Sequence, residues 1–557
     1  MAQAETIFDY LRRWKSEKPD RVALVDDKGS YTYAEYADGV ATLAARLAAA
    51  GINAGDAVAV AMPKCAEMPL AYLAAAAVAA VPFPVDFKSD GAAWRALVAV
   101  YAPRAVIVLS EATPPAFLSS AAATSAILGV EESLAAGAAP ATFTHAKTTA
   151  EDILYLNMTS GVSGRPKAAA ATHGNVIANA LAANAALSLG PGDVTLCTFA
   201  AHAHPHETFA RALVTGGRAA FVESIRPRAV LAAVERFSAT AVMGGPPLLR
   251  SLIPYAAAYD TSSLRVAEAG GMTAPEGLPG EFEAAFGIPL SRVWGATETS
   301  GIALLAAPEA PASSLGKPSA GYTAEVVDDG GDEVAVGEEG ELNVAGPGCV
   351  AGYWRRGRVE PFAAAFVRTG DLVRREADGT FTFLDRRDGL MKVAGEKVYA
   401  GEIERVLRQH PAVTEAVVMA APDDVRGQVP HAFVEPFGDL ELDAAAVAAF
   451  AQERLPAIKR PKKITVVKEL PKVGSGKIDR KNVGANIDAQ LEALAATDEE
   501  ILKLLNWRYE RLRELAASYP LAARQRLRRR LRAANAGPLH NDTVEEIFRK
   551  LDELMGM

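Results

Sequence analysis

"NMTSGVSGRPKAAAATHGNV" runs from Asn157 to Val176, directly after the apolar "ILYL". Between Thr159 and Lys167 it gathers three hydroxyls, two glycines, a proline and a lysine. Glycines let a loop bring its backbone N–H groups close to a ligand, and hydroxyls and a lysine add donors and charge. Together they make an anion-binding loop, with phosphate the usual anion. The Walker spacing G-x-x-x-x-G-K-[ST] is absent. The plain alternative is a glycine-rich surface turn with a solvated lysine.

The surroundings of the loop suggest the fold. From about residue 20 to 385, short β-rich runs such as "AVAVAM", "AVIVLS", "TAVMGG" and "RAAFVE" alternate with alanine- and leucine-rich helical segments. That alternation predicts α/β layers with mostly parallel sheets. Residues 320–350 read instead as short strands joined by glycine and acidic turns, a small β-subdomain. Residues 386–482 predict a small α+β domain, with helices near 401–409 and 443–454 and strands at "EAVVMAA" and "KITVVKEL". Beyond about 485 only helices are expected.

The bulk properties set limits. At 557 residues the chain is too long for one core. Half of it is hydrophobic and 22% is charged, as in soluble globular proteins. A net charge of -9 argues against a nucleic-acid binder. Three scattered cysteines, Cys65, Cys197 and Cys349, point to a reducing compartment and no structural zinc. The first twenty residues lack a signal-peptide pattern. The longest apolar run, residues 70–85, is alanine-rich and broken by Pro82 and Pro84, so a buried helix leading into a strand is expected rather than a membrane span. The expected location is cytoplasmic.

"TSG-x-[ST]-G-x-PK" followed by "THGN" resembles the phosphate loop of the adenylate-forming superfamily: acyl- and aryl-CoA synthetases, peptide-synthetase adenylation domains and luciferases. Further resemblances follow in order. "WGATET" (294–299) is similar to the family's aromatic-Gly-x-Thr-Glu motif, "RTGDL" (368–372) to its Thr-Gly-Asp motif, and "FLDRRDGLMKVAGEKVYAGEIE" (383–404) to its hinge and the loop after it. "PKVGSGKIDRK" (471–481) is similar to the terminal Pro-x-x-x-x-Gly-Lys motif. The resemblance implies an adenylation domain at 1–385, a mobile lid at 386–482, and a reaction in which a carboxylate attacks ATP to give an acyl-AMP and pyrophosphate. The acyl group then passes to a thiol, with CoA as the expected acceptor.

The resemblance also implies roles. Thr159, Ser160, Ser163 and Lys167, with the backbones of Gly161 and Gly164, would hold the β- and γ-phosphates. Thr297 would touch the α-phosphate and Glu298 would help hold Mg²⁺. Trp294, where tyrosine is commoner, would lie against adenine, with Gly270, Gly271 and Gly295 around the nucleotide. Asp371 would accept the ribose hydroxyls, with Arg386 nearby. Lys477 would bridge the substrate carboxylate and the α-phosphate. Asp388 matches the hinge, and Lys392, Gly395 and Glu396 match the loop lining the thiol tunnel. Two departures, Val162 for a hydroxyl residue and Ala168 for glycine, warn of altered phosphate geometry.

The acid pocket is expected at "CTFAAHAHPHETFARALVTGG" (197–217). His202 falls where relatives carry a carboxylate-gating histidine, with Ala203 and His204 beside it and Gly271, Met272, Ala296 and Gly301 as further walls. His202, His204 and His206 invite a metal reading. Their i, i+2, i+4 spacing and the lack of a cysteine or carboxylate cluster argue against it, and for His206 a polar loop after the strand stands as an even alternative to a place in the pocket. A small, aromatic acid fits these walls better than a fatty acid.

The tail carries capping boxes at Thr497–Glu500 and Thr543–Glu546 and amphipathic spacing at Ile501, Leu504, Leu505, Leu512 and Leu515. It resembles the all-helical chorismate mutase family over about 70 residues. Arg508 matches one active-site arginine of that family, but Leu491 stands where another is usual. The resemblance implies a non-catalytic helical domain at 485–557 that forms a homodimer. Two rival readings remain for the whole chain. One is an adenylating enzyme that loads a carrier protein or an amine; the other is a catalytically weak nucleotide sensor.

Overall fold

The computed structural model describes residues 5–88, 91–135, 147–159, 167–200, 205–355, 357–437, 442–471, 478–480 and 482–483, with scattered positions between 500 and 550. The chain divides into two compact units, Met1–Ile478 and Asp479–Met557.

The first unit is α/β, as the alternation predicts. Six strands run parallel side by side: Val22–Val25, Arg218–Ala220, Val194–Cys197, Ala241–Gly244, Val266–Ala269 and Leu290–Ala296. The strand Gly301–Ala306 reverses direction, and an antiparallel end follows through Ser314–Pro318, Phe381–Arg386, Val367–Arg375, Glu339–Ala345 and Thr323–Val327. The strands read as a β-subdomain thus form one end of a 13-stranded sheet. The switch from parallel to antiparallel falls at the "WGATET" segment.

A second sheet is wholly parallel: Val81–Pro84, Ala57–Ala61, Ala105–Val108 and Ala126–Gly129. Its inner strands are apolar at every position and buried at every position, because helices cover both faces. The alanine-rich run forms the fully buried helix Met68–Ala77 and then the strand Val81–Pro84. A third, antiparallel sheet pairs Ile153–Thr159 with Lys167–Thr172 and then Gly352–Arg355 and Arg358–Pro361. Residues 386–471 build the small α+β layer, with helices Ala400–Leu407 and Ala444–Arg454 on a five-stranded sheet.

Capping chemistry fixes the helix that supports the site. Thr172 accepts from Asn175 N at 3.1 Å, and the Asn175 side chain caps Thr172 N in return. The helix His173–Ala186 starts there. In the second unit every described position from 480 on is helical.

Candidate active site

The phosphate-loop expectation meets a defined anchor. Thr159 and Lys167 are register partners, so the strand pair closes the base of the loop between them. Ser160, Gly161, Val162, Ser163 and Gly164 lie outside the described residues. Ala168 is buried at 0% exposure and packs in the core beside Trp354. Its methyl group therefore packs in the core of the strand pair.

Lys167 places its ammonium 5.0 Å from the centroid of the Tyr353 ring. The Tyr353 hydroxyl donates to Glu298 Oε1 at 2.7 Å. One tyrosine therefore stands between the loop lysine and the carboxylate expected to hold Mg²⁺. Burial, then the Glu298 carboxylate, push the Tyr353 hydroxyl well above its ordinary pKa, so it remains a donor. Tyr353 was missed in the sequence. The available signal was strand alternation: Trp354 faces the core and Tyr353 the other side.

Thr297–Thr299 forms a single 3-10 turn between two sheet strands. Thr299 Oγ1 accepts from Ala296 N at 2.9 Å and donates to Gly301 O at 2.7 Å. Asn179, from the capped helix, donates to Ile302 O at 2.8 Å and Thr299 O at 3.3 Å. Tyr322 adds a 2.9 Å bond to Thr299 O. Gly295, on the strand that leads into this turn, must be glycine, because a β-carbon there would overlap the Gly301 carbonyl. The turn thus holds Thr297 and Glu298 by buried bonds from two other elements.

Asp371 lies 6% exposed on the Val367–Arg375 strand. Trp294 Nε1–H donates to its Oδ2 at 2.8 Å, and Arg386 donates to its Oδ1 at 2.6 Å. Burial works against the Arg386 charge, but Asp371 outweighs it and holds the guanidinium above its ordinary pKa. A carboxylate has about four acceptor positions. Two are used here, which leaves capacity for a pair of hydroxyls.

Glu298 fits a magnesium ion. Oε1 accepts only from Tyr353 among the described side-chain bonds. A hard cation of this kind takes one or two carboxylates and fills its shell with water and phosphate oxygens.

The acid end is built differently. The Phe199 ring lies against Gly270 and Gly271, at 4.0 and 3.9 Å from where β-carbons would stand. Met272 is 46% exposed at the rim. His202, Ala203 and His204 lie outside the described residues, as does any metal question that involves them. His206 is not on a polar loop. It sits buried in the first turn of the helix Pro205–Thr215, bonded through Nδ1 to the Tyr155 hydroxyl. Proline favours that helix start, and Phe209, Ala210 and Leu213 draw the helix into the core.

Behind these walls lies a buried charge cluster that the sequence reading missed. Arg211 bonds Glu268 at 2.8 Å and stands 3.6 Å from Glu207. His206 Nε2 is 3.5 Å from Glu207. Burial pushes Glu268 up against the pull of Arg211. Lys64 donates to the Phe199 carbonyl at 3.1 Å, and burial brings it down to about 8. The neighbouring Cys197 thiol is pushed up to about 12 by burial. Only the i, i+4 spacing of Glu207 and Arg211 signalled any of this in the sequence.

The second-step residues stand apart. Gly395 occupies the tip of the hairpin between Leu390–Val393 and Glu396–Tyr399, with Lys392 and Glu396 exposed and nothing within 4 Å of a β-carbon at Gly395. Among the described residues, no hydrogen bond or ion pair links them to Asp371 or Glu298; the Lys392 amide donates to Gln428 instead. Asp388 lies half-exposed in a 3-10 turn, 3.9 Å from Arg386. Lys477 lies outside the described residues.

The comparisons agree with this geometry. The family model for the AMP-binding enzyme matches residues 11–354, and the model for the AMP-binding enzyme C-terminal domain matches 402–477. A medium-chain fatty-acid–CoA ligase of Escherichia coli (strain K12) is 29% identical over 85% of this chain and 89% of its own. A feruloyl-CoA synthase of Amycolatopsis sp is 30% identical over 83% of this chain and 94% of its own. The solved o-succinylbenzoate CoA synthetase from Bacillus subtilis, in complex with its acyl-adenylate intermediate, superposes with a TM-score of 0.78 at 26% identity, covering 85% of this chain and 97% of that one. With the sheet-end turn, the paired Asp371 and the strand-anchored loop in family order, the chain belongs to the AMP-binding enzyme family.

Proposed function

We propose that the protein is an AMP-forming acid–thiol ligase. It adenylates a small, aromatic carboxylic acid with ATP, releases pyrophosphate and transfers the acyl group to CoA. The observation that carries this reading is the convergence of Lys167, Tyr353 and Glu298 on one side and Trp294, Asp371 and Arg386 on the other. Relatives named as CoA ligases and synthases support the same reaction class.

In this reading Asp371 orients the ribose and Trp294 carries the base. Thr159, Ser160, Ser163 and Lys167 receive the β- and γ-phosphates, with Gly161 and Gly164 supplying backbone donors. Thr297 positions the α-phosphate for attack, and Lys477 places the substrate carboxylate against it. Glu298 would hold Mg²⁺, which when bound would supply charge that offsets the like-charge repulsion between the two anions. His202 gates the carboxylate. For thioester formation the lid, 386–482, turns about Asp388 and brings Lys392, Gly395 and Glu396 to the thiol.

We further propose that residues 485–557 are a non-catalytic, chorismate-mutase-like helical domain that pairs two chains. Ile501, Leu504 and Trp507 support this, since they recur three residues apart and are 49%, 60% and 59% exposed. A chain ending near Val483 is expected to adenylate normally but run as a monomer in light scattering. A truncated dimer, or a full-length monomer, removes this role. No helix among the described residues is long and apolar enough to cross a membrane, and we place the protein in the cytoplasm.

Acid-dependent ATP–pyrophosphate exchange across benzoate, salicylate, anthranilate, hydroxybenzoates, cinnamates and short aliphatic acids tests the first step. AMP release that requires CoA, and not an amine or carrier protein, tests the second. Absence of exchange with every acid would favour the nucleotide sensor.

A further inference from the structure

Asp385 lies near the end of the strand Phe381–Arg386, just before Asp388, and is 3% exposed. Its carboxylate accepts from backbone N–H groups on both sides of Asp388. Oδ1 takes Arg386 N at 2.6 Å, and Oδ2 takes Gly401 N at 2.7 Å. Gly401 is the second residue of the helix Ala400–Leu407. The N–H groups of a helix's first turn have no partner within the helix. Tyr399, at the cap position, gives no side-chain bond to that turn. Asp385 supplies the cap instead, and its charge faces the positive end of the helix dipole.

Glycines make room for this carboxylate. A β-carbon on Gly389 would stand 2.7 Å from Asp385 Oδ1, and one on Gly401 would stand 3.4 Å from it. The turn at Arg387–Gly389 and the helix start therefore close on the same group. A further bond joins the two sides at the surface. The Tyr399 hydroxyl donates to Glu339 Oε2, on the strand Glu339–Ala345, at 2.6 Å. In this arrangement Ala394, Gly395, Glu396 and Lys397, at the tip of the next hairpin, are all exposed.

We propose that Asp385 is a positioning residue that seats the lid with the Gly395 hairpin turned out to solvent. A turn of the lid about Asp388 redirects the Gly401 N–H relative to the strand that carries Asp385. The cap therefore belongs to one lid position and is lost in the other. This rests on the two-step reading and adds what sets the balance between its two lid positions. Losing a helix cap shifts the equilibrium that depends on it by roughly 3–30-fold. The surface bond from Tyr399 contributes less.

The test uses the full-length protein as wild type, Asp385→Ala, Asp385→Asn and Tyr399→Phe. Spin labels on Ile225→Cys in the body and Val425→Cys in the lid, both exposed positions, report lid position. Distances are read alone, with ATP and acid, and with acyl-adenylate and CoA. Pyrophosphate exchange and single-turnover thioester formation are measured beside Tm. In Asp385→Ala the ratio of seated to turned lid is expected to fall roughly 3–30-fold. The thioester rate should rise relative to the exchange rate. Asp385→Asn, which keeps one carbonyl acceptor, should fall between Asp385→Ala and wild type, and Tyr399→Phe should change least. An unmoved lid in Asp385→Ala overturns the proposal. So does an equal loss of both half-reactions with a lowered Tm, since that marks a structural role alone. If no acid supports exchange, the adenylation reading fails, and the distance arm decides by itself. A lid freed by Asp385→Ala then supports the seat, and an unmoved one overturns it.

Discussion

The proposed nucleotide end and the proposed acid end of this site solve opposite problems. At the nucleotide end, Trp294, Glu298, Arg386 and Tyr353 are partly exposed, and short hydrogen bonds set their geometry. At the acid end, His206, Glu207, Arg211, Glu268 and Lys64 are all buried, and charge balance sets theirs. A bound nucleotide brings its own charge and many donors and acceptors, so partly hydrated side chains suffice to receive it. A small acid brings little beyond its carboxylate. Its recognition therefore depends on a dry environment in which each unmatched group is costly.

The contrast can be broken at three places. The largest effect is expected at Lys477. Lys477→Ala should lower acyl-adenylate formation by roughly 10²–10³-fold, the scale for one placed transition-state donor. Thioester formation from supplied acyl-adenylate should fall far less, and equal losses in the two half-reactions would refute the two-conformation scheme.

Lys64 probes the buried end. Its folded pKa, about 8, lies below the ordinary 10.5. Between those values the unfolded chain holds a proton that the native lysine has released, so stability rises with pH there and the burial penalty is complete below pH 8. Lys64→Met removes this dependence. The stability difference between variant and wild type should therefore change by up to ~3 kcal/mol across that window. Parallel denaturation curves at pH 8 and 10.5 would show that the ammonium is better solvated than its surroundings imply.

Tyr353 probes the open end, where the smallest effect is expected. Tyr353→Phe keeps the ring beneath Lys167 and deletes the bond to Glu298. A charge-assisted bond of this kind is worth ~1.5–3 kcal/mol, but partial exposure discounts it, so apparent affinity for Mg²⁺·ATP should weaken about tenfold. Direct Mn²⁺ binding should weaken with it. Unchanged metal binding would reduce Tyr353 to a packing residue.

How much was legible in the sequence follows the same divide. The nucleotide residues sit in contiguous motifs, since one turn or one strand end supplies each function. "WGATET" alone specifies a strand end, a 3-10 turn and a strand start. The wholly parallel sheet was legible because its inner strands are apolar throughout. The acid-end cluster was not, because Lys64, Glu207, Glu268 and Gly301 come from four separated segments and meet only after the layers pack. His206 stayed ambiguous for a related reason. A histidine between polar neighbours reads as solvated until the helix that carries it is known to face inward.

Trp294 has an optical consequence. The chain has five tryptophans, and this one directs its indole N–H at a carboxylate expected to gain and lose ribose partners. Indole emission responds to the electrostatics along its ring and to stacked bases. The proposed nucleotide clasp therefore contains its own reporter, readable by fluorescence before any bond is made and removable by Trp294→Phe. Filling of the site can be followed in the first milliseconds after mixing, without labels, apart from every later event.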